Sequence, residues 1–174
     1  MRTLLRILVL LVLAGAIVSG GFLVIGPSRV WEWIGGPADQ GPVDFAALTR
    51  RSVPNDALAC SPGLCRGLTV DLTLPAYSAA PAALMYRLDR AALHDGNVAR
   101  VDNRSRPNYR RYVARTKLLQ FPDTVDAEAV ASPDGTGLRL YSRSLLGRGD
   151  FGANRARLEA WIARLGDGQP APSG

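Results

Sequence analysis

Between Leu4 and Ile25 the only charge is Arg6, and the rest of the run is apolar or weakly polar. About 20 consecutive apolar residues are enough to cross a bilayer, so the segment reads as a membrane span and leaves the fold to be built from the residues after it. Arg2 and Arg6 flank its start. By the positive-inside tendency they hold the N-terminus in the cytoplasm and send everything after Gly26 across. Trp31 and Trp33 come next, at the depth where indole rings favour the headgroup boundary. A cleaved secretory signal is the alternative, because Ala14-Gly15-Ala16 and Val18-Ser19-Gly20 place small residues at cleavable positions. Both readings export the remainder. The retained anchor is the one expected, which makes the chain a single-pass inner-membrane protein with its C-terminal domain in the periplasm.

The 174 residues then have room for one ordinary domain. Setting Arg2 and Arg6 aside leaves 19 basic residues against 15 acidic, and the surplus is local. Arg100, Arg104, Arg106, Arg110, Arg111, Arg115 and Lys117 face only Asp102 in their stretch. Such a stripe can meet phosphate or anionic headgroups, yet a solvated face paired across strands is the commoner explanation. Arg111, Arg115 and Lys117, with Arg139 and Arg143, are the candidate binding residues.

Residues 27–53 are rich in Gly and Pro with neither helical nor strand period and read as a tether; within them Val43 to Arg51 could form a short helix. The domain proper is expected over 54–165, and 166–174 as a disordered tail. Cys60 and Cys65 are the only cysteines, with the turn pair Pro62-Gly63 between them. In an oxidising compartment a local disulfide is expected. Metal binding is the weaker alternative, since the chain offers one His and no second Cys pair. We expect no metal and no cofactor.

Leu84, Leu88 and Ala92 recur at fours in an amphipathic helix over Ala79 to Leu93, ended by His94-Asp95-Gly96. From Tyr109 the period becomes two, with Tyr112, Ala114, Thr116 and Leu118 on one face and Arg111, Val113, Arg115 and Lys117 on the other. Val125, Ala127 and Ala129, then Leu138, Leu140 and Ser142, alternate on either side of Ser132-Pro133-Asp134-Gly135, which is a hairpin pattern. Registers that keep both apolar sets on one side put Asp126 and Glu128 among Arg139, Tyr141 and Arg143. A last amphipathic helix carries Leu158, Trp161, Ile162 and Leu165. The expected fold is therefore α+β: a small antiparallel sheet with a strand hairpin, packed by two amphipathic helices and preceded by one transmembrane helix.

Gly147, Gly149 and Gly152 have the G-x-G-x-x-G spacing of a dinucleotide loop. That fold needs a parallel strand after the helix and an acidic residue about 20 positions on, and here the helix is the last ordered element. Neither nucleotide nor nucleic acid is expected. The glycines instead suit a tight strand-to-helix joint, with Asp150 or Asn154 available to cap the helix.

The stretch YSRSLLGRGDFGANRARLEAWIARL, with LLQFPD upstream, resembles the C-terminal signature of the bacterial and plastid family catalogued as domain of unknown function 1499. Ser142, Arg143, Ser144, Gly147, Asp150, Gly152, Asn154 and Arg157 fall on its pattern. Gly149 stands where the family commonly has Ser, and CSPGLC matches the family's N-terminal segment loosely and one residue short. The resemblance implies a fold and an envelope setting, and brings no established activity. Two functions are expected in turn. One is a non-catalytic, membrane-tethered module contacting an envelope protein or an anionic lipid or glycan. The other is an envelope hydrolase with Ser142, Ser144, Asp150 and Asn154 at its site, which would need an activating base within reach.

Overall fold

A computed structural model describes residues 2–166, so the tail expected over 166–174 lies, past Gly166, outside the described residues. Two helices come first, α1 (Arg2–Ile25) and α2 (Pro27–Gly35), followed by strands β1 (Asp56–Cys60) and β2 (Leu72–Thr73), helix α3 (Pro81–Leu93), strands β3 (Val98–Arg100), β4 (Tyr109–Arg115), β5 (Pro122–Ser132) and β6 (Gly135–Ser144), and helix α4 (Ala153–Leu165). The apolar stretch Arg2–Phe22 has mean hydropathy 2.3, long and apolar enough to cross a membrane; a signal sequence meets the same measure.

The α+β expectation holds, but the sheet is larger than expected. Six strands lie in the order β2-β1-β6-β5-β4-β3, and the sheet is mixed because β1 and β2 run parallel while every other neighbouring pair is antiparallel. The hairpin has the expected partners: Asp126 lies opposite Tyr141 and Glu128 opposite Arg139. Its two-residue turn closes between Ser132 and Gly135. Gly135 has φ 123°, and a Cβ there would stand 2.6 Å from the Tyr77 carbonyl oxygen, so no larger residue fits without moving that bridge.

One face of the sheet carries the main core. Leu84, Met85 and Leu88 of α3 and Leu158, Trp161 and Leu165 of α4 bury against Tyr112, Val125, Ala127, Leu138 and Leu140. The Tyr112 and Trp161 rings meet edge to face at 5.3 Å, an arrangement favoured by their quadrupoles.

The opposite face is also covered, which the alternating pattern did not announce. The stretch expected to be a tether starts as helix α2, with Pro27 in its first turn and Gly36 beyond its end. It then crosses the sheet, burying Ala38 and Phe45. Phe45 joins Leu58, Cys60, Tyr109 and Tyr141 in a second cluster. The short helix expected over Val43–Arg51 is a turn instead, held where the Asp44 carboxylate accepts the Ala46 amide at 2.9 Å. Cys60 and Cys65 are joined in a disulfide at the edge of this cluster. Because both faces are covered, Val113, read as outward, is buried. The strand also ends earlier than its pattern suggests. Thr116 and Leu118 lie beyond Arg115 in a loop where Gln120 has φ 56°, and Leu118 is 86% exposed instead of sharing the core face.

Candidate functional site at the strand–helix joint

β6 delivers Ser142 and Ser144 to the α4 side of the sheet, and the loop 145–152 turns the chain into α4. Gly147 and Gly152 have φ 87° and 80°, a backbone region that other residues reach only at a cost, whereas Gly149 does not need it. Asp150 caps the helix: its carboxylate accepts the Gly152 amide at 2.9 Å and the Asn154 amide at 2.9 Å. Gly152, at the formal cap position, has no side chain to offer. Asn154 is not a cap. It is fully buried, and its side chain ties the joint together.

The Asn154 amide nitrogen reaches Asp150 at 2.7 Å, Ser144 Oγ at 2.9 Å and the Asn55 carbonyl at 3.1 Å. Its oxygen accepts the Ser142 hydroxyl at 2.5 Å and Arg157 Nη1 at 2.8 Å. Arg157 also donates to Ser142 Oγ at 3.0 Å and pairs with the buried Asp123 of β5. Asn55 completes the ring by donating to the Gly147 carbonyl at 2.7 Å. Thus the structure brings Ser142, Ser144, Asp150, Asn154 and Arg157 of the family pattern together. Asn55 and Asp123, from distant parts of the chain, close the network.

A groove of about 290 Å³ opens beside the network, lined by Phe121, Asp123, Ser144, Leu146, Asp150 and Phe151 among others. Ser144 is the serine that lines this groove, and among the described residues it donates to neither a carboxylate nor an imidazole. Asp123 is engaged by Arg157, and the Asp150 oxygens by the Gly152 and Asn154 amides. His94, the only histidine, follows α3 next to Asp95, which pairs with Arg164 near the far end of α4. The ten steps from Asn154 to Arg164 span about 15 Å at the helical rise.

Arg143 belongs to the other face. Alternation along β6 turns it away from Ser142 and Ser144, which corrects its expected place in the joint. There it pairs with Asp126, a fully buried carboxylate that also accepts the Tyr109 hydroxyl and, at 3.2 Å, the Val43 amide. Burial pushes the Asp126 carboxyl above the usual carboxylate range, against the pull of Arg143 and Tyr109. The same burial, reinforced by Asp126, raises the Tyr109 phenol to about 12. Arg143 donates further to the Gly41 carbonyl at 2.7 Å, so the crossing segment completes what the sheet leaves unsatisfied.

Most of the expected binding set has similar inward commitments. Arg111 pairs with Asp39, Arg115 with Glu32 and Arg139 with Glu128. Of the five, only Lys117 is without an ion-pair partner among the described residues. Arg100 and Arg110 share Asp89 of α3. Arg100 also pairs with Asp102; burial works to raise that carboxyl, yet Arg100 and the backbone amides of Arg111 and Arg104 hold it down at about 2.

The family described as "Protein of unknown function (DUF1499)" matches residues 69–165. The chain belongs to the DUF1499 family. Among curated proteins, none matches it. The DUF1499 match includes the whole joint from Ser142 to Arg157 but begins after β1, the disulfide and Asn55. Part of what satisfies the DUF1499 joint therefore comes from N-terminal sequence outside the matched region. One hint of this is legible in the chain, the Pro54-Asn55-Asp56 turn, since an Asn there has a side chain able to bond carbonyl and amide at once. Nothing local pairs it with Gly147.

Proposed function

We propose that this DUF1499 protein is a membrane-tethered module on the periplasmic side of the inner membrane. A single N-terminal anchor holds it, and it binds an envelope partner or an anionic lipid or glycan without catalysing a reaction. The observation that supports the non-catalytic reading is the mutual commitment of the joint's polar groups. Ser142 donates to Asn154, Asn154 reaches Ser144 and Asp150, and Asp150 accepts the helix amides. A nucleophilic hydroxyl needs a base within hydrogen-bond reach, and these carboxylates and amides are spent on holding the β6–α4 joint. The long apolar helix α1 and the two arginines before its apolar core support the anchor and its orientation.

The test is active-site labelling. The detergent-solubilised full chain, treated with a fluorophosphonate that modifies activated serines, should remain unmodified at Ser142 and Ser144. A stoichiometric adduct on either serine, lost on heat unfolding before treatment, would overturn the non-catalytic reading.

A further inference from the structure

Exposed apolar side chains are concentrated at one end of the domain. Outside α1, the large hydrophobic residues left in the open are Trp33 at 87%, Ile34 at 67%, Leu118 at 86%, Leu119 at 44% and Phe151 fully, besides Tyr86 and Leu93 on α3. The first five lie on three segments distant in sequence that meet in space. Trp31 of α2 stacks on Phe121 at 4.4 Å and donates to the Leu119 carbonyl. Gly35 ends α2 against Leu145 and Leu146, so closely that a Cβ would lie 2.6 Å from Leu146 Cδ2. Phe121, Leu146 and Phe151 line one groove.

Phe151 is the strongest sign that this exposure has a use. It has φ 52°, a conformation costly for a bulky residue, and its ring packs into no core. Around these side chains stand Arg29, Lys117 and Arg148, exposed and without ion-pair partners among the described residues. Apolar tips set among unpaired cations match the boundary of an anionic bilayer.

Position narrows the partner further. Only Gly26 separates α1 from α2. The nine residues of α2 rise about 13 Å, so Trp33 and Ile34, and the loops that α2 grips, stay within that distance of the span's end. The hairpin turn lies at the other end of β6, whose ten residues extend roughly 33 Å. The turn is thus at the end of the strand opposite the loop 145–151.

We propose that α2, the loop 116–121 and the loop 145–151 together dock into the headgroup region of the membrane that α1 spans. Trp33, Ile34, Leu118 and Phe151 enter the acyl boundary, and Lys117 and Arg148 meet anionic headgroups. The domain is thereby oriented, with the 290 Å³ groove at the membrane surface and the hairpin turn outermost. This rests on the tethered reading of α1.

The experiment uses the full chain in vesicles of phosphatidylcholine and phosphatidylglycerol, with and without bromine on acyl carbons near the headgroup. Leu118→Trp and Phe151→Trp, made separately, each add an indole whose emission should be blue-shifted and mostly lost in brominated vesicles. Asp134→Trp, at the hairpin turn, should keep its added emission. Equal emission in both vesicle types for Leu118→Trp and Phe151→Trp, in chains that stay with the vesicles through an alkaline wash, would overturn the docking and leave the tether standing. That result would turn the apolar end over to a protein partner. Chains stripped by the wash would overturn the tether, and the docking with it.

Discussion

Asp150 acts on backbone amides, those of Gly152 and Asn154, that have no other partner among the described residues, so its value should appear as stability. Asp150→Ala should cost about 0.5–2 kcal/mol, the usual loss on removing a helix cap. Asn154→Leu should cost more, because Arg157, Ser142 and the Asn55 carbonyl all lose a partner in a buried setting. Denaturant unfolding of the two variants checks this, and a variant as stable as the parent would mean that the network does not hold the joint. Asp102 gives the pH counterpart. Its folded pKa of about 2 lies below the ordinary 3.8, so its contribution is complete above pH 4 and fades as the pH falls through 2. Asp102→Asn should flatten that part of the stability profile, measured by unfolding between pH 2 and 5. The joint's own members were legible at this scale because Ser142, Ser144, Asp150, Asn154 and Arg157 lie close along the chain. Asn55 was not, since its bond with Asn154 joins positions 99 residues apart. Arg143 carries two signals: the family pattern groups it with the joint, while the two-residue alternation of the hairpin puts it near Asp126, where it lies.

α3 and α4 each have one wet face and one dry face, and their helical period survives in the sequence. The β5–β6 hairpin is buried on both faces over most of its length, and its period of two survives because buried polar residues, Thr124, Asp126 and Arg143 among them, alternate with the apolar ones. β1 has no such period: from Ala57 to Cys60 it is buried on both sides, so small apolar residues follow one another without alternation. β2 and β3 are too short to establish a period, although Val70, Leu72 and Leu74 alternate around β2. α2 was hidden by the glycines and the proline that bound it. The place of β1 has a consequence. It lies between β2 and β6, yet it precedes the region matched to the family, residues 69–165. A fragment restricted to 69–165 would leave the Tyr141 and Leu140 edge of β6 unpaired and Asn154 without Asn55. It should therefore be insoluble or lack a cooperative unfolding transition, whereas a fragment from Gly36 to Gly166 should fold. Cooperative thermal unfolding of 69–165 alone would contradict this.

For the whole molecule, the arginine-rich charge that suggested a binding face is largely neutralised by carboxylates of the crossing segment, α2, α3 and the neighbouring strands. What remains open is the apolar and cationic end next to α1. Long-range pairing of this kind cannot be read from a local charge count, because Arg111 finds Asp39 and Arg115 finds Glu32 across 72 and 83 positions of sequence. The central claim, that a folded domain is exported and kept on its membrane, is tested most directly by fusing alkaline phosphatase after Gly174 and fractionating cells after an alkaline wash. The account predicts full-length, enzymatically active fusion in the membrane pellet. An active but shortened fusion in the soluble periplasm would contradict the tether, and an inactive full-length fusion in the pellet would contradict export.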